Sequence, residues 1–267
     1  MRKKILYLTD LDNGSQEEDL YLSSVLSNNF DITISHPLLC EKYLDEVDGI
    51  LIRNVWPVIH HSLDEWKRIK SIIEFKKIRT YNPLSGKGDN LGKHYLLDLH
   101  KHNFPVIPSI DDVTNVNELG ENKFYWIKPV QGCDGYGAKK VTKSVLQKLA
   151  PKDYIIQPYM EFTSEPSFFF IDNIFLYAIS TTHRLKENDI KLYQPTDEEL
   201  AFAEKFVQWN NIPYGIQRID AIKTKSGKLL LTEVEDIAEY LYLLDLDQLT
   251  REKIVGSVEE SLLNFFE

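Results

Sequence analysis

The chain has 267 residues, with 31 Lys and Arg against 41 Asp and Glu for a formal net charge of −10, and 43% apolar residues, enough to bury a core in one large domain or two small ones. An acidic chain without a basic run is poorly suited to coat nucleic acid or to dock on an anionic membrane, since both need clustered Lys and Arg. Two cysteines, Cys40 and Cys133, cannot build a disulfide framework or a four-cysteine zinc site, and no apolar run reaches the ~18 residues of a spanning helix.

At the N-terminus, Met1-Arg2-Lys3-Lys4 leads into the apolar run Ile5-Leu6-Tyr7-Leu8, which stops at Asp10 with no small-residue cleavage site. It reads as a first strand over Lys4 to Leu8 rather than a signal peptide, so a soluble cytoplasmic protein is expected. After Asn13-Gly14-Ser15, Leu20, Leu22, Val25 and Leu26 recur at helical spacing over Gln16 to Leu26, with Glu17, Glu18 and Asp19 in the first turn. Short strands follow at Asp31 to Ser35 and Gly49 to Ile52. Ser62 with Glu65 reads as a capping box opening a helix to Lys77. This βαβ rhythm predicts a small parallel sheet flanked by helices.

From Phe124 the strands come in adjacent pairs: Phe124–Pro129 with Ala138–Val141, then Tyr154–Tyr159, then Ser167–Asp172 with Ile174–Ser180, and Gly215–Lys223 with Lys228–Val234. Short connections make these antiparallel hairpins. Thr196 with Glu199 predicts a capped helix to about Trp209, and a last helix is expected over Asp247 to Phe265. The fold class is α/β plus α+β: a Rossmann-like front followed by an antiparallel body, with a cleft between lobes.

Three stretches can carry chemistry. If the hairpin at Ser226-Gly227 turns between those residues, Asp220 faces Glu233 and Arg218 faces Glu235. Glu233 and Glu235 then share one sheet face with Asp220. Carboxylates so placed repel unless a cation sits between them, and hard oxygen ligands suit Mg²⁺; a solvated sheet face neutralised by Arg218 has the same pattern. In Lys128-Pro129-Val130-Gln131-Gly132-Cys133-Asp134-Gly135-Tyr136-Gly137, a lysine ends a strand and a glycine-rich loop follows. Such a loop turns backbone N–H groups onto an anion, or simply makes a turn. The segment Gln157-Pro158-Tyr159-Met160 either reads the edge of a base or connects lobes. Gly86 to Lys93 resembles a P-loop faintly, but its spacing is wrong and His94 stands where Ser or Thr belongs. Lys93 instead opens a helix with Leu96, Leu97 and Leu99 on its apolar face. No histidine pair has metal spacing, and no G-x-S-x-G elbow is present.

Taken in order, these pieces resemble an ATP-grasp enzyme of the glutathione-synthetase-like type. The series runs from Asn82-Pro83 and Gly92-Lys93 through Lys128 with its glycine loop and Gln157-Pro158-Tyr159-Met160 to Arg218-Ile219-Asp220 and Glu233-Val234-Glu235-Asp236. The acid pair followed by Glu239-Tyr240-Leu241, with Arg53-Asn54-Val55-Trp56 near the start, is similar to the branch that includes the cycloserine-forming cyclo-ligase. The resemblance implies an ATP-grasp fold with two antiparallel-sheet lobes clamping ATP. A pre-ATP-grasp domain would span 1–85 and the ATP-grasp domain 86–267, with a small lobe about 110–160 and a large lobe about 161–267.

It further implies that Lys93 and Lys128 contact the nucleotide and that Gly132, Gly135 and Gly137 close over its phosphates. Gln157, Tyr159 and Met160 would face adenine, and Glu165 would hold the ribose. Asp220, Glu233 and Glu235 would hold two Mg²⁺ ions, with Glu235 standing where the family usually has Asn. Arg218 and Arg184 are the candidate catalytic arginines. Arg53 and Arg184 are also candidates to grip a substrate carboxylate, and Asp10 to meet an amino group. Between Arg184 and Thr196 the chain is short, with Lys191 and no glycine where the family often has an Arg and a Gly-Gly pair. The implied activity is ATP- and Mg²⁺-dependent joining of a carboxylate to an amine through an acyl-phosphate, on an amino acid or small peptide. The alternatives are an ATP-grasp kinase, an intramolecular cyclo-ligase, or a catalytically reduced ATP-binding protein. A homodimer is compatible; nucleic-acid and membrane partners are not expected.

Overall fold

The computed structural model describes residues 1–12, 16–132, 135–149, 152–182 and 190–267, and builds three sheets. β1 (Lys4–Leu8), β2 (Asp31–Ser35), β3 (Gly49–Ile52) and β4 (Thr80–Tyr81) form a parallel sheet in the order β2-β1-β3-β4. Its helices are α1 (Gln16–Leu26), α2 (Trp56–His61) and α3 (Leu63–Phe75). Asn13, Gly14 and Ser15, the expected lead into α1, lie outside the described residues. The capping box at Ser62 does not form. Helix α2 ends on Ser62, whose N–H donates to the Val58 carbonyl, so this residue closes one helix while opening the next. Its backbone, at φ −147° and ψ 49°, leaves its side chain without a cap bond.

The helix expected from Lys93 begins two residues later, as α4 (Tyr95–Lys101). β5 (Phe124–Pro129), β6 (Lys139–Thr142) and β7 (Tyr154–Pro158) make an antiparallel sheet in the order β6-β5-β7, with α5 (Lys143–Leu149) after β6. The third sheet is antiparallel, in the order β10-β9-β8-β11-β12. Its strands are β8 (Phe162–Ile171), β9 (Ile174–Thr181), β10 (Lys191–Tyr193), β11 (Ile216–Thr224) and β12 (Leu229–Glu235). α6 (Asp197–Asn210) opens on the expected Thr196–Glu199 capping box, and α7 (Gln248–Phe265) closes the chain.

The Phe168-Phe169-Phe170 run shows how the third sheet is buried on both faces. All three rings are fully buried. Alternation sends Phe168 and Phe170 toward Phe202 and Phe206 of α6, and Phe169 to the opposite face with Tyr177 and Ile216. That second core also takes in Ile5 and Leu26 from the parallel-sheet lobe and Val258, Leu262 and Phe265 from α7. The last helix thus packs the C-terminus against the first strand and helix. Among the described residues, no helix is long and apolar enough to cross a membrane.

Candidate nucleotide and metal site

Every second residue of β11 explains how one sheet face divides. Ile216 joins the core, Arg218 and Asp220 line a cavity of about 390 Å³, and Ile222 joins an apolar cluster with Ile107 and Leu230. The cavity lies between the three-stranded and five-stranded antiparallel sheets. Its walls include Lys128 of β5, Glu165 and Ser167 of β8, Thr181 of β9, and Glu233 and Glu235 of β12.

The pairing Asp220 with Glu233 and Arg218 with Glu235 is as expected, but the turn is not. Beyond Asp220 the register slips: Ala221 pairs with Leu231, Ile222 with Leu230 and Lys223 with Leu229. The hairpin therefore turns about Ser226, and Thr232 is the extra residue of a β-bulge. The bulge restores the acidic register that the shifted turn would otherwise lose. It also lets Thr232 join Glu233 and Glu235 along the cavity wall.

Asp220, Glu233 and Glu235 each bring a carboxylate oxygen within 4.8 Å of the others. Hard oxygen donors at this spacing fit Mg²⁺. Cations of the chain already interleave them. Arg218 places Nη2 2.6 Å from Glu235 and 3.0 Å from Asp220, with Nε 3.0 Å from Asp220 Oδ1. Lys93 and Lys128 each stand 3.3 Å from a Glu233 oxygen. Burial raises the Glu233 pKa, but the two ammonium groups outweigh it and hold it at about 2. Glu235 goes the other way: burial outweighs Arg218 and pushes it well above the usual carboxylate range.

Lys93 is itself held from behind. Its ammonium meets the buried Asp89, which also accepts from the Tyr95 hydroxyl at 2.8 Å. Burial pushes Asp89 up to about 6 against the pull of Lys93. Tyr95 in turn accepts from the Val234 N–H at 2.7 Å, tying α4 to the acidic strand. Sequence reasoning passed over Asp89 inside the false P-loop; the Asp89–Lys93 spacing of four was its only local signal. The glycines there serve packing: a Cβ on Gly88 would lie 2.3 Å from the Val234 carbonyl oxygen, while Asp236 accepts from the Gly88 and Asn90 N–H groups.

Gly132 and Gly135 line the cavity together with Tyr136, whose ring meets His60 of α2 edge-on at 4.2 Å. Gly137, at φ +71°, is not a lining residue; a Cβ there would strike Pro129 at 2.8 Å. Cys133, Asp134 and Arg184 lie outside the described residues. A second hollow adjoins the cavity across Trp126, Lys128 and Thr232, and is lined by Gln157, Tyr159, Met160 and Phe162. The Gln157 side chain is buried and donates to Ser109 Oγ at 2.9 Å, so it builds this wall. The Tyr159 N–H is spent on the Phe124 carbonyl at 3.0 Å, and its ring lies under the Lys140 ammonium at 3.4 Å.

Two of the weaker candidates stand apart from the other site residues. Arg53 does not line the cavity. It is 2% exposed, with Nη2 2.9 Å from Glu18, Nε 3.0 Å from Asp19 and Nη1 2.7 Å from the Glu239 carbonyl. Its guanidinium is turned to these groups of the chain itself, whereas Arg218, equally engaged, faces the cavity. Asp10 is likewise buried and not among the residues lining the cavity, 3.5 Å from His36 Nε2 and accepting from the Asp12 N–H.

No family model matches the sequence, and no curated protein matches it. Solved structures do. D-cycloserine synthetase DcsG superposes with a TM-score of 0.79 at 17% identity, covering 97% of this chain and 99% of that one. The ATP-grasp ligase PsnB, complexed with a minimal precursor, gives 0.66 at 13%, covering 100% of both chains. D-alanine–D-alanine ligase from Bacillus anthracis, complexed with ATP, gives 0.67 at 14%, covering 99% and 98%. The chain has the ATP-grasp fold, as the motif order implied. Of these three, the likeness to the cycloserine synthetase carries the highest TM-score.

Proposed function

We propose that the chain is an ATP- and Mg²⁺-dependent carbon–nitrogen ligase that forms an amide from a carboxylate and an amine, releasing ADP and phosphate. One observation carries the reading. Lys93, Lys128 and Arg218 alternate with Asp220, Glu233 and Glu235 on the walls of one cavity, between the two antiparallel sheets of an ATP-grasp fold. Such a site has charge to neutralise phosphates and carboxylates to hold cations, and no nucleophile of its own is needed when catalysis is positioning and charge stabilisation.

Adenine would enter the hollow beside Met160 and Ile222. From Ile222 to Arg218 along β11 is four residues, about 13 Å of strand, which is room for a triphosphate whose last phosphate reaches Arg218. Lys128 and Lys93 would exchange Glu233 for phosphate oxygens, and Glu165 would face the ribose. Mg²⁺ held by Asp220, Glu233 and Glu235 supplies neutralisation of the phosphate charge. A substrate carboxylate oxygen attacks the γ-phosphorus and ADP leaves, giving an acyl-phosphate. The amine nitrogen then attacks the acyl carbon, phosphate leaves and the nitrogen gives up a proton. Arg218, already forked onto two carboxylates, would bear on the oxygens where charge gathers in both steps.

Two of the solved relatives give the reading its direction: one carries ATP, and another is a cycloserine synthetase. The test is release of ADP and phosphate from Mg·ATP across a matrix of amino acids and small peptides. Turnover requiring both an acid and an amine is expected. Phosphate retained in the product would identify a kinase instead, and a single substrate closing on itself would identify a cyclo-ligase. Tight nucleotide binding with no turnover in any mixture would overturn the enzyme reading.

A further inference from the structure

The segment from Glu239 to Leu243 precedes a short 3-10 turn at Leu243–Asp245 and is fixed almost wholly by side chains from elsewhere. Glu18 of α1, 1% exposed, takes the Leu241 N–H on one oxygen and the Leu243 N–H on the other, both at 2.8 Å. Those two bonds bracket Tyr242. Arg53 holds both Glu18 and the Glu239 carbonyl. The Tyr177 hydroxyl donates to the Leu241 carbonyl at 2.6 Å, and Arg218 Nη1 to the Tyr240 carbonyl at 3.2 Å. So many restraints hold Tyr242 at φ 56° and ψ 29°, left-handed backbone that an L side chain adopts at a cost.

Strain imposed from several sides places a particular group. Tyr242 lines the cavity, its ring centroid 5.9 Å from the Arg218 guanidinium and 4.8 Å from the Tyr240 ring. Because the apolar hollow lies at the Ile222 end of β11, the Arg218 end is where the transferred phosphate would meet the second substrate. We propose that Tyr242 is the specificity-determining wall of this acceptor end, limiting the size of the attacking amine, and that Glu18 is its positioning residue, acting from the parallel-sheet lobe. This rests on the ligase reading. It also gives the buried Arg53–Glu18 pair a purpose other than gripping substrate: it fixes the segment that meets substrate.

The experiment uses the full chain. Calorimetry with Mg·AMPPNP measures nucleotide binding. ADP release is then measured with glycine, alanine, leucine and phenylalanine of either hand, for wild type, Tyr242→Ala, Tyr242→Phe and Glu18→Gln. Tyr242→Ala is expected to keep AMPPNP affinity within about threefold and to raise the kcat/KM ratio of bulky over small amino acid at least about tenfold, the scale on which a pocket discriminates by one or two carbons. Tyr242→Phe, which keeps the ring volume, should keep the wild-type ranking. Glu18→Gln, which cannot accept both N–H groups, should shift the ranking in the same direction as Tyr242→Ala. An unchanged ratio in Tyr242→Ala with nucleotide affinity intact overturns the proposal, as does joint loss of affinity and turnover. An unchanged ranking in folded Glu18→Gln overturns the positioning role. If wild type binds Mg·AMPPNP but uses none of the amino acids, gain of leucine or phenylalanine turnover in Tyr242→Ala supports the proposal and its absence overturns it. Wild type failing to bind Mg·AMPPNP overturns the ATP-site reading itself, and calorimetry shows that separately.

Discussion

Lys93 and Lys128 share one carboxylate, each ammonium nitrogen 3.3 Å from an oxygen of Glu233. They reach it from different parts of the chain, Lys93 from just before α4 and Lys128 from the end of β5. Glu233 therefore joins the base of the cavity to the three-stranded sheet above it. In the proposed catalytic state, phosphate oxygens replace Glu233 at the two lysines and Mg²⁺ replaces the lysines at Glu233.

Lys128→Ala removes one of the three cations, Lys93, Lys128 and Arg218, that the proposed function sets against the phosphates. A charge-assisted bond is worth about 1.5–3 kcal/mol, so the Kd for Mg·AMPPNP should rise about ten- to a hundredfold. Calorimetry checks this, and an unchanged Kd would mean that Lys128 faces no phosphate.

Glu233→Gln keeps the shape of the side chain and removes its charge. Mg²⁺-dependent ADP release should fall at least about a hundredfold, the usual cost of losing a charge-stabilising group at such a site. Unaltered turnover would sink the metal assignment.

Arg218→Lys tests geometry rather than charge. A single ammonium cannot reach Asp220, Glu235 and the Tyr240 carbonyl together, as the guanidinium does. The expected outcome is a fall in kcat of about a hundredfold, read from steady-state ADP release. Retention of wild-type kcat would show that the fork is dispensable.

Glu239 should govern part of the pH dependence of stability. Burial pushes its carboxyl up to about 8, and its Oε2 has no hydrogen-bond partner. Between the ordinary carboxylate value near 4.5 and about 8, the folded chain holds a proton that the unfolded chain has lost. This contribution is therefore full below the lower value and declines as pH rises, by up to about 1.4 kcal/mol per pH unit. Glu239→Gln should flatten urea-measured stability between pH 5 and 8 by that order. A slope identical to wild type would show that the carboxyl is ionised across this range.

Asn82 should be a stability residue. Buried at φ 63°, it donates to the Ile216 and Asp236 carbonyls at 2.7 and 3.0 Å and to Glu239 at 2.9 Å, and accepts from the Ile216 N–H at 2.9 Å. Asn82→Ala would strand several buried polar groups and cost about 3 kcal/mol in denaturant unfolding. A loss below about 1 kcal/mol would mean that water or rearrangement replaces these bonds.

Much of the architecture was legible because it is written in local periods. Alternation along Ile216, Arg218, Asp220 and Ile222 marks the strand and the two kinds of surface it serves. Thr196 and Glu199 announce a helix start that does form. Ser62 and Glu65 carry the same signature and fail, because α2 ends on Ser62. The acidic pairing across β11 and β12 was read correctly from a turn placed half a residue away, and the bulge at Thr232 cancels the error. Nothing in the period of β12 marks that bulge.

The sequence by itself determined the order of the longer strands and helices, though not α2, β4, α5 or β10, together with the alternation that sets charged residues between apolar ones on β11 and the motif series that implied an ATP-grasp fold. Only the tertiary structure decided what the buried charges do. Arg53 looked like a substrate grip from its residue type; its partners are Glu18, Asp19 and the Glu239 carbonyl, the last of them 186 positions away. Asp89 and Tyr242 carried almost no local signal, yet one fixes Lys93 and the other lines the cavity. The physical reason is range. Periodicity and capping act within a few residues, whereas a buried ion pair is stable only where the whole fold removes water and brings in its counter-charge.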